Sequence, residues 1–350
     1  MMKRSLVLWT LFLSGILTVS CQSNTAQKPT ANNQQMKKFE WRPSVSAPKI
    51  YPIQIHKGFL YGPDGNAIQI PRGRIVKNGW GKTGASFVIG EDIKPVPNRL
   101  EVTWLSLSEN QFYAGSFELP AERMVQNFET TFIDQRDKED AYNSIVIGLA
   151  PGGMVSVWMR GPSKSIEVAN FKAAVTDIPM EEFNPLGTQN REEYVQNRLN
   201  SLDEKYQTDL EEKGVDIDKW DAARAQFSWK LNFSPIAGGE LATVLAEGLN
   251  GEHFFVRSDN RILEANEDLF VPAYLKISWY DTSKNKYGAK IYLDEEETLK
   301  AFWSLSKEAK MLELIIEVDR YHSNINIYLQ GDDARTSLQK ARSNVYATVD

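Results

Sequence analysis

The chain reads as an α+β protein: a tandem duplication of two antiparallel-sheet domains, each with a packed helix, joined by a helical linker. Two near-identical strands, and the ordered run of elements that follows each, lead to this reading. "VPNRLEVTW" occupies 96–104 and "VPAYLKISW" occupies 271–279. In the first, Leu100, Val102 and Trp104 share one face and Glu101 and Thr103 the other. In the second, Leu275, Ile277 and Trp279 oppose Lys276 and Ser278. A period of two marks a sheet with one buried face. The length agrees, since 350 residues exceed what one hydrophobic core ordinarily organises.

The succession after each strand is the same. Tyr113, Phe117 and Leu119 correspond to Tyr287, Ile291 and Leu293, which predicts a second strand paired through a hairpin. "PAERMVQNF" puts Pro120 at a first helical position, where its missing N–H costs nothing. "DEEETLKAFW" offers Asp294 and Glu297 as a capping box, with acids at the positive end of the helix dipole. Val125 and Phe128 match Leu299 and Phe302. Two more strands close each unit: Ile145, Ile147 and Leu149 then Val155, Val157 and Met159, against Leu314, Ile316 and Val318 then Ile325, Ile327 and Leu329. Gly161 and Gly331 end them.

Upstream, "YPIQIHKGFLYGPDGNAIQI" reads as a strand, a Pro-Asp-Gly turn and a strand, with "FSWKLNFSPI" and "EHFFVRSDNRILEA" as its counterparts in the second unit. Between the units, Asn190 and Glu193 spell a capping box, and Tyr194, Val195, Leu199 and Leu202 make one apolar face. Asp218 is positioned to cap "DKWDAARAQF", a helix carrying Trp220 and Phe227. These stripes predict helices that pack on both units. The division is 40–177 for the first sheet-helix domain, 178–227 for the helical linker and 228–350 for the second domain.

The N-terminus has its own chemistry. Lys3 and Arg4 precede an apolar run of 14 residues, Leu6 to Val19. That is short of the about 20 residues needed to span a bilayer, and is the pattern of a signal peptide, residues 1–20. "LTVSC" resembles a bacterial lipobox, which implies a diacylglyceryl thioether on Cys21, the sole cysteine. Such acyl chains hold a protein to a membrane at roughly 0.8 kcal/mol per buried CH₂. Gln22 after the cysteine implies the outer membrane of a Gram-negative bacterium, with the globular part in the periplasm. Residues 21–39 supply the anchor and a polar tether too poor in apolar groups to fold. Removing residues 1–20 takes away two cations and no acid, leaving 38 Lys and Arg against 46 Asp and Glu. Such an acidic body is unsuited to nucleic acid, whose phosphates demand a basic stripe.

No assembled catalytic or metal centre is legible. "GWGKTG" lacks the upstream glycine of a phosphate loop, since Val76 stands there, and it precedes the strand-like "ASFVIG". His56, His253 and His322 are far apart and have no ligand neighbours at metal spacing. Asp216, Asp218 and Asp221 read as helix-capping acids rather than a calcium loop. No cofactor is expected. One partner surface is: Trp158, between Ser156 and Arg160, and Tyr328, between Asn326 and Gln330, lie on the strand face opposite the core. Aromatics and Arg there are the types that anchor interfaces. The competing expectation is that the central helices cover this face.

"YNSIVIGLAPGGMVSVWMRG", "YPIQIHKGFLYG", the nine-residue step from Trp104 to Tyr113, and "NREEYVQNRLNSL" together resemble an uncharacterised bacterial lipoprotein family, domain of unknown function 2931. The resemblance implies no reaction. It is compatible with an immunity protein that occludes a toxic effector in the periplasm. An envelope hydrolase whose carboxylates converge at the interdomain junction, and a structural envelope lipoprotein, are the alternatives.

Overall fold

Alternating apolar residues become strands wherever they have a partner, and the computed structural model describes residues 37–84, 91–257 and 268–348 accordingly. The signal segment, Cys21 and the tether to residue 36 lie outside the described residues, as do "ASFVIG" and part of "EHFFVRSDNRILEA".

The first half runs β1 (Lys38–Glu40), β2 (Arg42–Ser46), β3 (Ile53–Tyr61), β4 (Ala67–Gln69), β5 (Ile75–Val76), β6 (Ile93–Pro95), β7 (Arg99–Ser106), β8 (Gln111–Glu118), α1 (Ala121–Phe128), β9 (Thr131–Ile133), β10 (Glu139–Ala141), β11 (Ser144–Ala150), β12 (Met154–Arg160), β13 (Lys164–Lys172) and β14 (Ala174–Thr176). Four helices follow: α2 (Met180–Phe183), α3 (Arg191–Leu199), α4 (Glu204–Lys213) and α5 (Lys219–Ala223). The second half runs β15 (Gln226–Pro235), β16 (Glu240–Gly248), β17 (His253–Arg257), β18 (Asp268–Phe270), β19 (Pro272–Tyr280), β20 (Lys286–Tyr292), α6 (Glu295–Leu305), β21 (Leu312–Val318), β22 (Ile325–Gln330), β23 (Arg335–Ser337) and β24 (Arg342–Ala347). The protein is α+β and mostly strand.

Both hairpins that carry the repeated "VP…W" strands form in the expected register, with Trp104 opposite Tyr113 and Trp279 opposite Tyr287. The rings stack in each, at centroid distances of 5.4 and 5.7 Å. The strand beside β7 is β3, and its register shifts between Ile55 and Lys57. The strand beside β19 is β16, whose register shifts between Leu241 and Thr243. "FSWKLNFSPI" therefore does not take the place expected of it. It forms β15, which lies parallel to β21 as β2 lies parallel to β11. "ELATVLAEG" is hard to recognise as a strand, because Ala, Glu and Gly carry little β preference. Pairing on both sides with β17 and β19 holds it extended.

The apolar stripes pack as two main cores. One gathers Trp41, Trp104, Met124, Phe128, Ile147 and Val157, the other Trp229, Trp279, Phe302, Ile316 and Leu329. Trp41 Nε1 donates to the Pro95 carbonyl (3.3 Å) and Trp229 Nε1 to the Phe270 carbonyl (3.0 Å). Phe39 stacks on Phe128, and Phe227 lies against Phe302.

Helix ends refine the expectations. Asn190 and Glu193 form the complete capping box of α3. Asp294 accepts from the Glu297 N–H (3.0 Å), but the Glu297 carboxylate reaches forward to the Gln339 and Lys340 N–H groups instead of back. Pro120 occupies the N-cap of α1, one position before the helix. Asp218 makes no side-chain cap; Asp216 Oδ1 accepts the Asp218 and Lys219 N–H groups (3.1 and 3.2 Å). Phe227 belongs to β15 rather than to the helix, which ends at Ala223. Burial against Phe302 competes successfully with helix continuation.

The helices do pack on sheet, as their stripes require. Phe183, Tyr194 and Val195 cover Leu105 and Phe112 on the outer face of β7 and β8, and Tyr194 Oη donates to Gln54 Oε1 (2.6 Å). Trp220 of α5 meets Tyr51 edge-on. The sheets, however, are not confined to the two halves. One nine-stranded sheet runs β2-β11-β12-β13-β17-β16-β19-β20-β24, crossing from first half to second at the β13–β17 pair. A second sheet joins β14-β8-β7-β3-β4 with β5 beside β3, and a third joins β18-β15-β21-β22-β23.

Candidate functional site

The β13–β17 crossing is built from residues that sequence leaves unrelated. Lys164 and Ser165 pair with Phe254 and His253, and the Phe255 N–H donates to the Ser163 carbonyl (2.8 Å). Above this pair, Trp158 is 0 % exposed. Its indole N–H donates to the Asn250 carbonyl (3.2 Å), and its ring meets Trp80 perpendicularly at 4.8 Å. Trp80 in turn lies 5.0 Å from Trp220 of α5. "GWGKTG" thus supplies a wedge between strand and helix. Gly81 (φ +68°) lies against the Gly251 backbone so closely that a Cβ would fall on it. The loop needs glycine for that approach, not for phosphate.

The expected partner surface is corrected here. Trp158 is sealed inside the crossing by Trp80 and the Asn250 turn, and Arg160 uses Nη1 to donate to the Gly81 carbonyl (3.0 Å). The competing expectation of a covered face comes nearer, with Trp80 inserted between Trp158 and α5. Tyr328 is half-buried on β22, and the Arg335 guanidinium lies 3.7 Å from its ring centre. The structure does not bring Tyr328 together with Trp158 and Arg160: β22 lies in the five-stranded sheet and β12 in the nine-stranded one.

Titratable groups gather at the crossing. The Glu167 N–H donates to Glu252 Oε1 (2.7 Å), and Glu167 Oε2 accepts from Arg224 Nε (3.0 Å). Burial pushes the Glu252 carboxyl above its usual range, against the hydrogen bonds it accepts from Glu167 and the Asn250 side chain. Burial likewise raises Glu167, opposed by Ser156 and Arg224. Burial, and then the Arg160 charge, lower His253 to about 3. The ring is buried, and only the Pro162 backbone acts against this shift, so the imidazole is held neutral. The missed signal for this cluster was the acid–polar pattern "LNGEH" at 249–253.

The other histidines are scattered. His56 Nε2 lies 3.1 Å from Glu182 Oε1, and His322 Nδ1 accepts from Trp279 Nε1 (3.2 Å) while its ring stacks on Tyr287. Among the described residues no group of three His, Cys, Asp or Glu is placed to hold a metal, and no helix is long and apolar enough to cross a membrane.

Comparison with known families adds one finding. The family model for proteins of unknown function, DUF2931, matches residues 26–218. The chain belongs to the DUF2931 family. The match takes in the first half and α2 to α4, and stops short of Trp220 and the second half. No curated protein and no solved structure matches the chain.

Proposed function

We propose that this DUF2931 chain is a lipid-anchored, periplasm-facing binding protein, with an immunity role in which the body occludes a toxic effector by shape. The observation that carries the reading is the welded crossing at Trp158, which makes nine strands one rigid sheet. At about 4.8 Å per strand the sheet extends roughly 38 Å, the scale of a standard protein–protein interface. The lipobox ending at Cys21 and a polar tether that stops before β1, where Phe39 already packs on Phe128, support a body held at an outer membrane and free to reach a soluble partner.

The body itself is best read as an internal duplication. "FEWRPSVS" at 39–46 and "FSWKLNFS" at 227–234 align at every second residue. The turn at Gly62 repeats at Gly248: Gly65 N–H bonds to the Gly62 carbonyl (3.0 Å) and Gly251 N–H to the Gly248 carbonyl (3.1 Å), with Asp64 and Asn250 accepting from the second residue on. A register shift opposite Trp104 in β3 is matched by one opposite Trp279 in β16, which carries a second between Glu247 and Gly248. On this reading Trp41 and Trp229 are the same residue twice. Trp41→Phe and Trp229→Phe should each cost about 2 kcal/mol, from one indole hydrogen bond and the ring volume lost. Chemical denaturation of the two variants checks this, and a severalfold inequality would count against equivalence.

The anchor is tested by metabolic labelling with a fatty acid. Wild type should take up label and pellet with membranes, and Cys21→Ala should do neither. Labelling that persists in the variant would remove the anchor. Binding is tested by affinity capture from envelope extracts, which should retain a protein in stoichiometric yield rather than lipid or small solute alone.

One observation favours a second reading, an envelope hydrolase: Glu167 and Glu252 are neighbouring carboxyls at the junction, both pushed up by burial. A hydrolase would lose turnover of an envelope polymer in Glu252→Gln while unfolding normally.

A further inference from the structure

The outer face of β19, β20 and β24 carries three rows in register. Tyr274, Tyr292 and Arg342 form the first, Lys276, Lys290 and Asn344 the second, and Ser278, Gly288 and Tyr346 the third. Three cations and three tyrosines share this patch on a chain of net charge −6, and the carboxylate beside it, Glu247 of β16 opposite Tyr274, is ion-paired with Lys82. Lys276 and Lys290 are direct cross-strand neighbours, both exposed, and neither has an ion-pair partner among the described residues. Like charges placed opposite each other destabilise a sheet. Solvent and salt screen this repulsion in part, and an anion laid over the pair relieves it further.

The rings around the lysines are positioned. Tyr274 and Tyr292 lie 5.1 Å apart, with Arg342 6.0 Å from the Tyr292 ring centre. Tyr346 covers Gly288 so closely that a Cβ there would stand 2.8 Å from its ring. On β7 and β8, α2 and α3 cover this face at Leu105 and Phe112, the positions that correspond to Tyr280 and Lys286. On β19 and β20 the same face is left to Lys276, Lys290 and Tyr292, the last 46 % exposed.

We propose that this tyrosine–lysine face docks an acidic protein surface. The proposal deepens the binding reading above and rests on it. Charge complementarity selects an anion, and the three tyrosines set around the lysines, a residue type that anchors protein interfaces, select protein over lipid.

The test uses the full chain in detergent with poly-L-glutamate as the acidic probe and phosphatidylglycerol vesicles as the lipid probe. Wild type should bind poly-L-glutamate, at least tenfold more weakly in 300 mM than in 50 mM salt. Lys290→Glu, which puts a carboxylate opposite Lys276, should weaken binding at least tenfold and melt at or above the wild-type temperature. No binding to poly-L-glutamate, binding unchanged in Lys290→Glu, or binding to the vesicles alone would overturn the proposal. So would a lower melting temperature for the variant. Fatty-acid labelling and envelope capture are read separately, so this face can fail while the anchored binding protein stands.

Discussion

Trp158→Ala is expected to destabilise the protein by about 4–5 kcal/mol, and to divide its unfolding. The side chain is wholly buried, and truncating such a tryptophan ordinarily costs 3–5 kcal/mol in lost transfer and cavity terms. The Asn250 carbonyl loses its donor, and Trp80 loses one of its two indole neighbours. Because this contact sits over the β13–β17 crossing, its loss separates the two cores as cooperative units. Wild type should unfold in one transition in urea and the variant in two. Trp158→Phe, which keeps most of the packing and loses the N–H, should cost about half as much and retain a single transition. A variant Trp158→Ala within 1 kcal/mol of wild type, unfolding in one step, would show that the crossing is held elsewhere.

The second large effect is on acid stability. His253 has a folded pKa of about 3, well below the 6.5 of a free imidazole. Its contribution is fully present above pH 6.5 and is lost as pH falls, because the unfolded chain takes up the proton and the folded chain does not. At about 1.4 kcal/mol per pH unit, the loss reaches about 2 kcal/mol by pH 5. Glu167 and Glu252 act in the opposite sense. Their raised folded values mean that their contribution is present at low pH and lost as pH rises through them. His253→Phe isolates the histidine from this background. The variant should gain about 2 kcal/mol relative to wild type on going from pH 8 to pH 5, measured as paired urea midpoints. An equal difference at both pH values would mean that the imidazole is protonated in the fold.

The strand pattern was legible wherever alternation was steep. Leu275, Ile277 and Trp279 against Lys276 and Ser278 could be nothing but a one-sided strand, and the Asn190–Glu193 box could be read from four residues. β16 was not legible, because "ELATVLAEG" has weak alternation and is held by neighbours on both edges. Nor was the fate of Trp158. Its parity on β12 identifies the face opposite Val157, but parity says nothing about what comes to lie over that face. The cover arrives from Trp80 and Asn250, 78 residues before and 92 residues after it in the chain. The carboxyl and imidazole groups at the crossing were hidden for the same reason: their altered proton affinities come from burial, which is a property of the assembled strands.

Local alternation, caps and turn residues thus determined most of the α+β elements, β16 and the start of β15 excepted, since each depends only on neighbours a few positions away. The N-terminal cation–apolar–cysteine pattern likewise carries its expectation within the first 21 residues. Only tertiary structure decided that nine strands form one sheet, that Trp158 is internal with Arg160 tied to the Gly81 carbonyl beside it, and that Lys276 and Lys290 face each other uncovered. Those outcomes depend on which distant backbone edges pair, and edge pairing is specified by the sum of many weak contacts rather than by any one stretch of sequence.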